Sequence, residues 1–252
     1  MDSIIVSGGQ RLNGTVSTSG SKNAALPILF ASLLADGRHH FDNVPELKDI
    51  ESTQQLLASL GATSERQGGS LLVDVEAPAA HVADYDMVRK MRAGILCLGP
   101  LLARYGEARV SLPGGCAIGS RPIDLHIETM RRLGADISSE GGYVVARAQR
   151  LVGDRILFEK VTVGGTENAL MAASLASGTT VIENAAKEPE VVDLANYLIA
   201  MGARIEGVGS SVITVEGVDE LTPARHSIVA DRIEAGTLLI AGAITGGHVT
   251  VD

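Results

Sequence analysis

The stretch Asp124-Leu125-His126-Ile127-Glu128-Thr129-Met130-Arg131-Arg132-Leu133-Gly134-Ala135 decides the fold, because its pattern occurs three times. Its closing tripeptide returns as Leu60-Gly61-Ala62 and Met201-Gly202-Ala203, with spacings of 73 and 68 residues. Apolar residues lead into it at helical intervals: Ile123, Ile127, Met130 and Leu133 here, and Val191, Leu194, Leu198 and Ile199 in the third copy. The glycine predicts a helix C-cap, since only glycine takes a left-handed backbone without penalty. A hairpin then follows each copy. Its turns are Gln67-Gly68-Gly69-Ser70, Glu140-Gly141-Gly142 and Gly207-Val208-Gly209-Ser210, and they lead into the β-branched runs Leu71–Val75, Tyr143–Ala148 and Val212–Val215.

Upstream of each amphipathic helix lies a more apolar one, expected to open at Asn23-Ala24, Arg92-Ala93 and Asn168-Ala169 and to stop at Gly37, Gly106 and Gly178. The unit reads helix–strand–helix–hairpin, repeated over about 20–90, 91–162 and 163–230. A fourth copy begins at Glu234-Ala235 and reaches its first strand, His248–Val251. Periods near 70 residues exceed the ~20–50 of solenoid repeats. The expected fold is therefore α/β (α+β): three units closing around an axis, helices inside and sheets outside. Residues 20–230 are expected to form that domain. The flanks, 1–19 (with a hairpin of Ile4–Val6 and Gly14–Thr18) and 231–252, are expected to belong to an incomplete second domain, with a hinge near Ala230-Asp231-Arg232.

Of 252 residues 45% are hydrophobic and 20% charged, a globular composition, while aromatics are 3% and Trp is absent. The core must be aliphatic. The net charge of −9 disfavours a nucleic-acid partner, although not a local basic pocket. The longest apolar stretch, Ala24–Ala35, is broken by Pro27 and Ser32 and is shorter than the ~20 residues of a membrane span, so no membrane partner is expected. Two cysteines and a start without a basic leader region fit a reducing cytoplasm.

The loop Pro113-Gly114-Gly115-Cys116-Ala117-Ile118-Gly119-Ser120-Arg121-Pro122 places a thiol among three glycines, with a guanidinium and a helix start behind it. It reads either as an anion-facing site or as a surface loop with an incidental cysteine. Cys97, among aliphatics, reads as core. In Ser19-Gly20-Ser21-Lys22-Asn23-Ala24 a serine caps a helix while Lys22 opposes the helix dipole, which an anionic ligand would explain and a solvated lysine would not require. Neither a Walker A spacing nor a G-x-G-x-x-G is present. Arg92, beside Arg89 and Lys90, occupies the place of Asn23 in the second repeat. The six histidines show no metal-ligand spacing; His39 and His40 alternate across a strand, and His126 reads as packing.

These segments, together with Ile182-Glu183-Asn184-Ala185-Ala186-Lys187-Glu188-Pro189-Glu190-Val191-Val192-Asp193, resemble the enolpyruvyl transferases, and within them the UDP-N-acetylglucosamine 1-carboxyvinyltransferase family. The resemblance runs through the whole chain. The cysteine loop is its specific part, since the shikimate-type transferases lack that cysteine. It implies an inside-out α/β barrel of two similar three-repeat domains, of which this chain carries a little over half. It implies transfer of enolpyruvate from phosphoenolpyruvate to the sugar 3′-hydroxyl, with phosphoenolpyruvate and UDP-N-acetylglucosamine as ligands and no cofactor. Carried over by position, Cys116 is the proton donor and the thiol alkylated by fosfomycin-type epoxides. Lys22 and Asn23 bind phosphoenolpyruvate, with Arg121 near it; Arg92, Arg121, Pro122, Ile123, Asp124, Leu125, Lys160, Val161, Thr162 and Val163 bind the nucleotide sugar. The family's base aspartate is expected beyond Asp252. An isolated chain would then be a nucleotide-sugar-binding fragment, self-associating through an exposed helix at Ala235–Ile244.

Overall fold

In the computed structural model, which describes residues 3–76, 81–83, 88, 92–112 and 123–252, the chain begins with β1 (Asn13–Val16). The first repeat is α1 (Lys22–Ala31), β2 (Gly37–Asp42), α2 (Lys48–Ser59), β3 (Ala62–Gln67), β4 (Ser70–Val75) and a short β5 (Val82–Ala83). The second is a 3-10 turn (Arg92–Cys97) running into α3 (Leu98–Tyr105), then β6 (Glu107–Ser111), α4 (Asp124–Arg132), β7 (Asp136–Glu140), β8 (Tyr143–Arg147) and β9 (Arg155–Leu157). The third is α5 (Val163–Ala173), β10 (Thr179–Glu183), α6 (Pro189–Ala200), β11 (Arg204–Glu206), β12 (Val212–Glu216) and β13 (Arg225–Ser227). Last come α7 (Arg232–Ile244) and β14 (His248–Val251).

A helix apolar all round must be enclosed by protein. In α1 every residue from Ala24 to Ala31 is buried, and in α5 every residue from Gly165 to Ala173. These helices form the interior: α1 packs on α2 and α6, while α5 packs on α3, α4 and α6. Outside them lie three four-stranded sheets of one design, ordered β13-β2-β4-β3, β5-β6-β8-β7 and β9-β10-β12-β11. The sheets remain separate; they do not join into one closed barrel among the described residues.

The short strands β5, β9 and β13 were not legible in the repeat pattern, and they link the repeats. Each pairs in parallel with the first strand of another repeat's sheet: β5 with β6, β9 with β10, and β13 with β2. The third repeat thus meets the first and completes a ring. A parallel pair normally needs a helical crossover. For β13 and β2 the crossover is split, because α1 lies near the beginning of the sequence and β13 near its end. The two segments meet at an antiparallel bridge between Gly20 and Ala230.

The helix-ending glycines behave as expected, with φ of 90° at Gly61, 91° at Gly134 and 108° at Gly202. A Cβ at Gly134 would meet nothing within 4 Å, so its cost is backbone strain alone. Gly134→Ala is expected to lower stability by about 1–2 kcal/mol, read as a shifted urea midpoint at constant slope. Gly69→Ala, in open space without a positive φ, is the control and should change little.

Three expectations are corrected. Ile4–Val6 forms no hairpin with the following strand: it is exposed and outside regular structure, and β1 pairs in parallel with β14, which takes the ladder bonds a hairpin would need. Asn168 does not open its helix. α5 starts at Val163, where the Thr162 side chain caps it by accepting the Gly165 N–H, and burial of the helix from Gly165 to Ala173 overrides the propensity cost of Gly164 and Gly165. Ile199 is exposed, its place on the inner face of α6 being taken by Tyr197, fully buried with its hydroxyl 2.6 Å from His39 Nδ1.

Candidate active site

Sequence reasoning singled out the starts of the inner and amphipathic helices, and the fold packs the elements that carry them against one another. The Arg92–Cys97 turn packs on both α1 and α5, and α5 packs on α4. The segments bearing Lys22 and Asn23, Arg92, Asp124 and Leu125, and Lys160 to Val163 therefore sit on one run of packed elements. The Gly-rich loop with Cys116, Arg121 and Pro122 lies outside the described residues, as does the side chain of Arg92.

At the start of α1, Ser21 is the N-cap, its hydroxyl accepting the Ala24 N–H at 3.4 Å. Lys22 Nζ lies 2.8 Å from Asp49 Oδ2 on α2, so the lysine at this positive helix end has a partner within the chain. Both side chains are about two-fifths exposed, and such pairs contribute only ~0–1 kcal/mol, so an incoming anion competes easily for the ammonium. Asn23 is exposed beside it. In the segment before α5, Lys160 and Val161 are exposed, while Thr162 and Val163 are half-buried by the capping turn.

Asn168, fully buried on α5, joins three elements. Its Oδ1 accepts the Gly99 N–H at 2.9 Å, and its Nδ2 donates to the Ile95 carbonyl at 3.2 Å and faces His126 Nδ1 at 3.0 Å. Position 99 has to be glycine, since a Cβ would come within 2.3 Å of Asn168 Oδ1. The two backbone partners fix which end of the amide is which, so His126 Nδ1 is an acceptor and its ring is neutral. Burial agrees, pushing the His126 pKa down to about 4. Gly164 leaves room for that ring: a Cβ there would sit 3.1 Å from His126 Cε1. His126 is thus a packed, neutral orienting group, and Cys97, buried with its thiol pushed up to about 12, is inert core.

Polar groups that the sequence reading left without a role begin at the residue before Asn168. Glu167 is buried, its Oε1 has no hydrogen-bond partner, and burial, reinforced by the nearby Glu190 and Glu188 carboxylates, raises its pKa to about 8. Glu190, itself 3% exposed, accepts from Arg232 Nε of α7 at 3.0 Å. Thr166-Glu167-Asn168 inside an otherwise apolar helix was the available signal: buried polar residues need partners or a role. Among the described residues no group of three or more His, Cys, Asp or Glu side chains is placed to hold a metal ion, and no helix is long and apolar enough to cross a membrane.

A family model described as EPSP synthase (3-phosphoshikimate 1-carboxyvinyltransferase) matches residues 6–252. A relative named UDP-N-acetylglucosamine 1-carboxyvinyltransferase from Bdellovibrio bacteriovorus is 64% identical over 98% of this chain and 60% of its own length. One of the same name from Geotalea daltonii is 54% identical over 100% of this chain and 60% of its own. The chain thus spans about 60% of the length of these curated relatives. Among solved structures, the enolpyruvyl transferase NikO from Streptomyces tendae superposes with a TM-score of 0.80 at 25% identity, covering 91% of this chain and 55% of that one. EPSP synthase from Acinetobacter baumannii shares the fold at a TM-score of 0.72 and 18% identity, over 92% of this chain and 53% of its own. Residues 6–252 align throughout with one family, and the chain belongs to it: the EPSP synthase (3-phosphoshikimate 1-carboxyvinyltransferase) family of enolpyruvyl transferases.

Proposed function

We propose that the chain is the nucleotide-sugar-binding part of an enzyme transferring enolpyruvate from phosphoenolpyruvate to the 3′-hydroxyl of UDP-N-acetylglucosamine, the first committed step of peptidoglycan synthesis in the cytoplasm. The observation that carries this reading is the 64% identity to a relative of that name over 98% of the chain. In the reaction C3 of phosphoenolpyruvate gains a proton while the sugar oxygen adds to C2 and its own proton passes to a base. Loss of a C3 proton and of phosphate then restores the double bond. Cys116 supplies the first proton. Lys22 and Asn23 hold the phosphoenolpyruvate, with Arg121 beside it. Arg92, Arg121 to Leu125 and Lys160 to Val163 hold the nucleotide sugar. A guanidinium as close in sequence as Arg121 favours the Cys116 thiolate, so bound anionic substrate is what restores the proton it must give.

Residues 20–230 form, in this reading, the complete three-repeat domain, and 1–19 with 231–252 are fragments of a second. The β13–β2 pairing within the first set and the β1–β14 pairing within the other favour that division. Exposed Leu239, Ile240 and Ile244 on α7 favour self-association of the isolated chain. The 60% coverage of its relatives favours binding without turnover for this chain alone, and the cysteine loop disfavours a shikimate-type acceptor. The test is phosphate release from phosphoenolpyruvate with UDP-N-acetylglucosamine or 3-phosphoshikimate as acceptor, beside calorimetric titration of each into the 252-residue chain. Of the two acceptors, only the nucleotide sugar is expected to bind tightly. A preference for 3-phosphoshikimate would overturn the reading, and full turnover would remove the fragment interpretation.

A further inference from the structure

The Glu188–Asp193 motif has no place in the chemistry above, yet its last residue is tied to the start of α1. Asp193 on α6 is 8% exposed, and both of its carboxylate oxygens are engaged. Oδ1 lies 2.8 Å from His226 Nε2, and Oδ2 accepts the Val229 N–H at 3.0 Å. The Val229 carbonyl in turn accepts the Ser21 N–H at 2.7 Å. Ser21 is the cap residue directly before Lys22 and Asn23. The neighbouring carbonyl, Ile228, accepts from Asn43 Nδ2 at 2.9 Å, and the Gly20–Ala230 bridge follows immediately. Further along, Glu190, one turn earlier on α6, grips Arg232. Helix α6 therefore holds residues 229–232 on both sides of the bridge, and those residues hold the first turn of α1.

From this chain of contacts we propose that Asp193 is a positioning residue for the anion-binding end of α1, setting through Val229 and Ser21 where Lys22 and Asn23 meet phosphoenolpyruvate. The proposal rests on the reading that these two residues bind that ligand. A carboxylate accepting a backbone N–H makes a short, directional bond. The amides at a helix start bind an anion only when aligned on it, and displacements near 1 Å at such sites are costly. Asp193 touches no substrate in this scheme; it acts through main chain alone.

The test compares Asp193→Ala and Asp193→Asn in the 252-residue chain by amide exchange and by titration with phosphoenolpyruvate. In D193A the amides of Ser21 to Ala24 should exchange about tenfold faster, as expected for loss of one charge-assisted bond, while those of α5 stay protected. Phosphoenolpyruvate affinity should fall by a similar factor and nucleotide-sugar affinity should not. D193N, whose neutral side-chain oxygen still accepts the Val229 N–H but more weakly than a carboxylate, should lose less of both. Unchanged exchange at 21–24, or an equal rise throughout the chain, overturns the proposal. D193N keeps the question decidable if D193A does not fold: its amide resonance changes should run from Val229 to Ser21 and Ala24, and changes that stop at Val229 overturn the proposal. An unaltered chain that binds no phosphoenolpyruvate overturns the reading of Lys22 and Asn23, while the exchange pattern still decides whether Asp193 holds the start of α1.

Discussion

Asn168→Ala is expected to cost about 3–5 kcal/mol of folding stability. The side chain is fully buried, and its removal strands three groups at once: the Gly99 N–H, the Ile95 carbonyl and His126 Nδ1. Each unsatisfied buried group costs about 1–3 kcal/mol, and because the three share one partner their costs do not simply add. Gly99 adds to the effect. Its lack of a Cβ lets α3 and α5 approach until the amide fills the gap, so truncation opens a polar void between the two helices. Urea unfolding followed by circular dichroism measures the loss. A change below about 1 kcal/mol would mean that water replaces the amide without cost, and the network would then not be what joins the three elements.

Glu167→Gln is expected to stabilise the chain, increasingly so as pH rises. The folded state keeps the Glu167 proton up to about pH 8, whereas an unfolded chain releases it near the ordinary glutamate value of 4.5. Between those values the folded state binds more protons than the unfolded one, so stability falls as pH rises through that window. A tenfold change in proton affinity corresponds to about 1.4 kcal/mol, and the loss for Glu167 is therefore expected to reach a few kcal/mol by pH 8. Glutamine is neutral throughout and avoids it. His126 works in the opposite direction on the acid side: its folded pKa of about 4 lies below the ordinary 6.5, so it favours folding as pH rises through that range. Comparing the two proteins at each pH cancels that contribution. The difference in unfolding free energy should be small at pH 5 and largest near pH 8, and a difference independent of pH would show that Glu167 is not a buried, protonated acid.

The parts of the fold legible in the sequence are those with a local cause. The Leu/Met-Gly-Ala caps at Gly61, Gly134 and Gly202, the hairpin turns and the apolar inner helices each follow from backbone conformation or from periodicity. The strands β5, β9 and β13 follow from neither. They are two or three residues long, too short for alternation to show, and form because a neighbouring sheet offers an edge. α5 starts five residues before Asn168 because Gly164-Gly165, a loop signal in isolation, is held in a helix by burial from Gly165 onward. At the site, Lys22 and the capping serine were readable from helix chemistry, but the Asp49 partner of Lys22 lies 27 residues away and is brought there by the fold. Glu167 and Asn168 carried a signal, polarity within an apolar run, whose meaning depends on which helix faces which.

The strand exchange that links the sheets also sets how the ring assembles. Two of its joints are nearly local: Val82 pairs with Arg109, and Arg155 with Val181. The third pairs Arg225 with His40, separated by 185 residues. Loop-closure entropy grows only logarithmically, by about 0.6 kcal/mol per doubling of length, so the long joint costs under about 2 kcal/mol more than the short ones. Contact order, by contrast, weighs on folding speed far more than on equilibrium stability. The seam between β13 and β2 is thus a kinetic feature. A circularly permuted chain, with Ala230 joined to Gly20 and new ends placed elsewhere, would keep every contact of the ring and make its slowest joint a local one.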